Sequence, residues 1–281
     1  MFIAMITWGI AWTNAKILSD YLNYYNLVFL RFLFGFLSLL PFVYKKINTI
    51  PKIPPPVFLN ITFMGILFFI YNYCFFKGTD LGHSGFGGVL VTTTNPIITF
   101  IIISIISKKI TLNQFFGIIL GLIGGLLIMD IFNMGLLHLL NIQNKYYITC
   151  SIIWGLMTVI MSFGQKKIDS ILYIAICYLF TTIISIFFID INELLQIIDY
   201  DFRFYFNFVS VSIGAMSFGT SIYIYATPRL GPIQTSAFIF TVPFIALLTA
   251  FIVLKEPITY NVIIGGIISI LAIVFINRNK T

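Results

Sequence analysis

Leu81-Gly82, then Thr92-Thr93-Thr94-Asn95-Pro96, then Lys108-Lys109-Ile110-Thr111 and Gly117 make up a stretch that occurs twice in the chain. The second copy runs through Leu230-Gly231, Thr241-Val242-Pro243, Lys255-Glu256-Pro257-Ile258-Thr259 and Gly265. Proline to lysine is 12 residues in both copies, and threonine to glycine is 6. Each copy reads as an apolar helix with an internal proline, a short charged break and a glycine-bearing apolar helix. A long-period repeat of this kind governs how the rest is read.

The chain around the repeat has 281 residues, 59% of them hydrophobic and only 9% charged. Its mean hydropathy is +1.03. A soluble domain is about 25% charged, so there is too little charge here to coat a water-exposed globule. The composition predicts an all-α integral membrane protein whose main partner is the lipid bilayer, with no soluble catalytic domain left over. The net charge of +7 would suggest nucleic acid in a soluble protein. Here lysines in cytoplasmic loops account for it, and no basic and aromatic patch points to nucleic acid. Cys74, Cys150 and Cys177 all lie in apolar runs and read as small core residues rather than disulfides or metal ligands. The two histidines are far apart, so neither a metal site nor a cofactor is expected. The chain opens directly in an apolar run without a charged start or cleavage pattern, and no signal peptide is expected. Heavy use of Ile, Phe, Asn, Lys and Tyr fits an AT-rich bacterial genome.

A helix needs roughly 20 apolar residues to cross the hydrocarbon core. Ten such segments are expected, at about 2–18, 26–44, 58–77, 83–106, 112–130, 146–164, 170–189, 204–226, 232–254 and 259–277. The longest connection, 131–145, divides the chain into five-helix halves at 1–130 and 146–281. Within it, 135–140 could lie along the interface as a short helix, although an ordinary linker is preferred. With the N-terminus in the cytoplasm, ten Lys and Arg fall on the inner side and five on the outer, with Arg31 inside a helix. That bias places both termini inside, and puts Glu193, Asp199 and Asp201 outside. Five spans per half mean that the second half enters from the opposite side, so the repeat is inverted. Trp8-Gly9 and Trp154-Gly155 extend the correspondence to the start of each half. In membrane chains such paired, interrupted segments flank a solute site near the midplane, where two halves alternate in access.

Together these residues resemble the drug/metabolite transporter superfamily, in its ten-helix EamA-like branch. The likeness rests on Trp8-Gly9 with Lys16, Arg31, Asn95-Pro96 with the Lys108-to-Gly117 block, Trp154-Gly155, and the second copy through Leu254-Lys255-Glu256-Pro257 to Gly265. Lys108-Lys109 departs from the basic-acidic or glutamate-containing turn common in that family. The resemblance implies export or exchange of small metabolites, often amino acids, in a bacterial inner membrane. It also implies a central cavity lined by helices 1–4 and 6–9, with helices 5 and 10 bracing.

Pro96 and Pro243 each remove a backbone donor and free a carbonyl one turn back. The neighbouring hydroxyls and amides can satisfy those groups or face a polar cavity, and a simple packing kink is the alternative. Arg31, about five residues inside the membrane, either faces an interior cavity or snorkels to the headgroups; Lys16 is expected to snorkel. Tyr21, Tyr24, Tyr25, Tyr146 and Tyr147 lie at helix ends and are assigned to the interfacial belt. Trp8, Trp12 and Trp154 sit deeper, with Asn14 and Thr158 nearby, and are assigned to the cavity. Thr93, Asn95, Gln234 and Thr241, near the prolines, complete the expected substrate-binding set with Arg31. Gly117, Gly121 and Gly125, with Gly265 and Ser269, form small faces for close packing, either within the bundle or between two copies in a homodimer.

Gly82-His83-Ser84-Gly85 has the look of a serine-protease loop, and an intramembrane hydrolase at Ser84 is one alternative function; a non-transporting assembly factor is another. A serine nucleophile needs a base within hydrogen-bond reach, and the only other histidine is His138 in the linker. No Asp or Glu lies centrally in a span, so facilitated diffusion or exchange is expected over proton coupling. The chain is therefore read as a carrier, not an enzyme.

Overall fold

A computed structural model of the chain describes residues 1–47, 53–107, 111–128, 131–135, 144–165, 168–255 and 260–277. Hydrophobic segments fold as helices because hydrocarbon offers backbone groups no partners outside the segment. The long helices are α1 Phe2–Ser19, α2 Tyr24–Ile47, α3 Pro55–Leu81, α4 Ser84–Ser107 and α5 Leu112–Ile128 in the first half. In the second half they are α6 Asn144–Gly164, α7 Ser170–Ile186, α8 Phe202–Leu230, α9 Pro232–Leu254 and α10 Tyr260–Asn277. Among the described residues, helix covers most of each segment expected from hydropathy, and no strand occurs. Among the described residues, six helices are long and apolar enough to cross a membrane: α2, α3, α4, α6, α8 and α9. A seventh arises if α7 is joined to Ile191–Asp199, from which it is bent by 114°. The chain is thus a multi-pass, all-helical membrane protein.

The helix ends follow local chemistry. Asp169, Asp190 and Asp201 cap their helices by accepting backbone N–H groups of the first turn. Pro55 and Pro232 stand in first turns, where a missing N–H is harmless. Gly231 joins α8 to α9 at φ +88°, a conformation that side chains disfavour. Lys255 ends α9 in the left-handed region at φ 61°.

The halves pack crosswise. α1 lies against α8 and α9, while α6 lies against α3 and α4; α2 meets α7, and α5 meets α10. The same reciprocity holds at single residues. A Cβ on Gly9 would fall 2.5 Å from the Ile245 side chain, and a Cβ on Gly155 would fall 2.5 Å from that of Ile98. Ile98 and Ile245 each stand two residues after their half's proline.

α5 and α10 approach at backbone level: a Cβ on Gly124 would meet the Gly265 carbonyl at 2.7 Å, and one on Gly265 the Gly124 carbonyl at 2.5 Å. The four-spaced glycines fan out instead, with Gly117 against Ile276, Gly121 against Phe240 and Gly125 against Thr93. These small faces serve the intramolecular bundle. Tyr147 departs from its expected place in the belt. It is fully buried, its hydroxyl donates to the carbonyls of Gly78 (2.7 Å) and His83 (3.1 Å), and its ring fills the space left by Gly78 and Gly87.

Several expected features lie outside the described residues: Lys108-Lys109-Ile110, Asp130, the 136–143 stretch with His138, and Glu256-Pro257-Ile258-Thr259. So do Lys52, Lys166, Lys167, Arg278 and Lys280, and the side chains of Lys45 and Lys46.

Candidate functional site

Arg31 sits on α2 about 10 Å along from its first residue, and is only 7% exposed. Its Nη1 donates to Asn72 Oδ1 of α3 at 2.7 Å. The Asn72 amide nitrogen donates to the Phe68 carbonyl at 2.9 Å, which turns the amide oxygen toward the arginine. The guanidinium lies 5.0 Å from the Phe75 ring centre and 5.6 Å from that of Phe76, and its Nε has no partner. Of the two positions open to Arg31 in the sequence, the side chain takes the interior one and does not snorkel. Lys16, by contrast, reaches the chain end of α3 and donates to the Asp80 carbonyl at 2.6 Å.

Arg31 forms part of the wall of a small central cavity of about 40 Å³. α1 contributes Trp8, Ala11 and Trp12, and α3 contributes Tyr71 and Phe75. Thr92 and Asn95 come from α4, Trp154 from α6 and Thr220 from α8. The rings form one continuous wall. Trp8 and Trp154 meet edge to face at 4.9 Å, Tyr71 approaches Trp154 at 4.8 Å, and Trp12 approaches Phe75 at 4.7 Å. Such edge-on pairs are favoured by the ring quadrupole.

The unusual backbone of α8 makes room for this wall. Ser210–Thr220 is π-helical, a form that concentrates at functional sites. The Trp8 indole donates to the Ala215 carbonyl in this stretch at 3.0 Å. Gly219 leaves the space that Trp8 fills, since a Cβ there would come within 2.8 Å of the indole nitrogen.

Of the ten residues expected to bind substrate, Trp8, Trp12, Arg31, Asn95 and Trp154 are brought together around this cavity. Thr158 lies one layer behind, bonded to the buried Tyr223 hydroxyl at 2.9 Å. Tyr223 itself lies 5.0 Å from Trp8. Asn14 is buried with its amide nitrogen unpaired, outside the cavity wall. Three lie away from this wall. Thr93 is turned onto Gly125 of α5, and Thr92, one helical step away, lines the cavity instead. Gln234 stands in the first turn of α9 beside Gly231. The Thr241 hydroxyl donates to the Phe238 carbonyl and is absent from the wall. Phe75, Thr220 and the Arg31 partner Asn72 were not singled out in the sequence. An asparagine within the apolar run of α3 was the available signal for Asn72.

The prolines act differently from one another. Pro96 lies inside α4, and the hydroxyls of Thr92, Thr93 and Thr94 donate to the carbonyls of Gly88, Val89 and Leu90. They therefore back-bond their own preceding turn rather than the carbonyl freed by the proline. Pro243 stands in the first turn of the second α-helical part of α9, after a 3₁₀ turn at Phe238–Thr241.

Ser84 does not form the pairing a hydrolase needs: its hydroxyl is buried without any hydrogen-bond partner, and His83 beside it is exposed. At the end of the bundle where α1 turns into α2, the 187–201 segment is clasped by side chains. Glu193 accepts the Asn23 backbone N–H at 3.0 Å and the side-chain amides of Asn23 and Asn26. The Tyr21 hydroxyl donates to Asp201 at 2.9 Å. The Phe204 N–H and this hydroxyl hold the Asp201 carboxyl below the usual carboxylate range.

The sequence profile of the EamA-like transporter family matches residues 1–130 and 144–278. The chain belongs to the EamA-like transporter family, a group of membrane transporters within the drug/metabolite class. No curated protein sequence matches it. Among solved structures, one described only as the crystal structure of a protein is similar in fold, with a TM-score of 0.73 at 14% identity. The likeness covers 100% of this chain and 97% of that one.

Proposed function

We propose that the chain is a secondary carrier that moves a small organic metabolite through the Arg31 cavity by alternating access. It would do so as ten spans in two inverted halves, 1–130 and 146–281, joined by the 131–145 linker. Both termini face the cytoplasm of a bacterial inner membrane. Family membership supports transport of the drug/metabolite type, and the meeting of Trp8 with Trp154 carries the rest. These tryptophans occupy matching places in the two copies, and they touch at 4.9 Å on the cavity wall. With the reciprocal Gly9–Ile245 and Gly155–Ile98 contacts, that is the arrangement expected when a pseudo-twofold axis runs through a solute site.

The cavity offers ring faces, amide and indole N–H groups, the hydroxyls of Tyr71, Thr92 and Thr220 with no base among the lining residues to activate them, and one guanidinium. None of these performs covalent chemistry on a bound solute, so the site holds and releases its cargo unchanged. The test is uptake into liposomes containing the purified chain, against a panel of amino acids, organic acids, nucleosides and vitamins. Uptake of at least one solute is expected, with loss in Arg31→Ala and Trp154→Ala. If both variants match the wild type for the best solute, the site lies elsewhere.

A further inference from the structure

We infer that the cavity is built for a planar organic monoanion, a carboxylate on a flat apolar body, rather than for a solute without net charge. This deepens the carrier reading and rests on it. Arg31 is the one charged residue among the buried residues described. Its guanidinium donates to a neutral amide, Asn72, and is otherwise met by the faces of Phe75 and Phe76. A ring face attracts a cation but does not cancel its charge. Among the described residues, then, no acidic side chain neutralises this guanidinium within its membrane-spanning helix, where charge is costly. A monoanion cancels that charge. A zwitterion leaves it in place, a dianion reverses its sign and an amine doubles it.

The remaining polar atoms show where such a cargo sits. Arg31 Nε is without a partner, so the fork through Nε is free to take a carboxylate in two parallel hydrogen bonds. The Asn95 side-chain oxygen is buried without a partner on the same wall, and the two ends of an amide are interchangeable by a flip. Trp154 Nε1, on a residue of the same wall, is likewise buried without a hydrogen-bond partner. Both groups can donate to a carboxylate that has docked on Arg31. The flat body has the rings of Trp8, Trp12 and Tyr71 to stack against, and no buried carboxylate among the described residues awaits an ammonium group. Neutral amino acids, the first class the family suggests, are therefore poor cargo.

All three tryptophans of the chain, Trp8, Trp12 and Trp154, line the cavity, so intrinsic fluorescence of the purified full chain reports its occupancy. Three probes share one phenyl ring and a two-carbon tether: 3-phenylpropionate, phenylalanine and phenethylamine. Saturable quenching by 3-phenylpropionate is expected, about tenfold or more tighter than by phenylalanine, with none by phenethylamine. Arg31→Gln should erase that order, while Arg31→Lys, which keeps the charge but not the fork, should weaken the anion and keep the order. The inference is overturned if phenylalanine or phenethylamine binds as well as the anion, if the anion gives no saturable response, or if the order survives Arg31→Gln. Should Arg31→Gln fail to fold, loss of the order in Arg31→Lys overturns it as well. Proteoliposomes separate this failure from that of the carrier reading. A zwitterion or neutral solute moved in a Trp154-dependent way removes the anion and keeps the carrier, whereas movement of no solute at all removes both.

Discussion

Thr158 shows what one hydroxyl does behind the cavity wall. It donates to the Trp154 carbonyl at 3.0 Å, which leaves its lone pairs to accept the Tyr223 hydroxyl at 2.9 Å. Tyr223 is fully buried, and its ring backs both Trp8 and Trp154. Thr158→Val keeps the shape but leaves that phenol without an acceptor, a loss of about 1–3 kcal/mol. Thermal unfolding in detergent should show Thr158→Val below wild type and Thr158→Ser close to it; equal melting of all three would mean that Tyr223 finds another acceptor. At this scale the sequence makes the large and charged members of the cavity wall legible. A tryptophan or an arginine inside an apolar run stands out whichever way it points. The hydroxyls did not stand out. Nearness to Pro96 brought Thr93 into the candidate set, but a helix turns about 100° per residue, and that step moves the cavity face to Thr92. Gln234 and Thr241 lie off this wall for the same reason, because distance along the chain from a proline does not say which side of a helix faces the cavity.

At the scale of elements, hydropathy located the helices to within a few residues. It could not show the π-helical backbone of Ser210–Thr220, since no proline or charge marks it in the sequence. The π form is held by contacts from elsewhere, including the Trp8 indole on the Ala215 carbonyl, and tertiary contacts are not legible in a local window. The Trp-Gly pairs, by contrast, were visible as a repeat before their packing was known. A Cβ added at Gly9 would lie 2.5 Å from the Ile245 side chain, and one at Gly155 2.5 Å from that of Ile98, closer than real Cβ contacts. An alanine at either place must push α1 from α9, or α6 from α4. Overpacking of this kind costs about 1–3 kcal/mol. Gly9→Ala and Gly155→Ala should therefore lower the unfolding temperature by similar amounts, each more than Gly214→Ala, where a Cβ meets nothing within 4 Å. A large effect at one Trp-Gly pair and none at the other would break the equivalence of the halves.

Across the whole molecule, the repeat was the most informative feature of the sequence, because it tied residues far apart in the chain to equivalent places in the bundle. The crosswise packing of α1 on α8 and α9, and of α6 on α3 and α4, is what such a duplication produces when each half is completed by the other. The distribution of charge is a second global property, and it bears on how transport is driven. A carrier that moves protons with its cargo holds a group that gains a proton on one side and loses it on the other, usually a carboxylate or histidine at membrane depth. Among the described residues none of Asp, Glu or His is buried, and the buried charge is an arginine, which stays protonated across the physiological range. Exchange of a fully ionised solute across liposomes should therefore run at the same rate with and without an imposed pH gradient, and a protonophore should leave it unchanged. Acceleration by the gradient would require a proton-carrying group on the path, and Asp130→Asn and Glu256→Gln would then show whether one of those carboxylates supplies it.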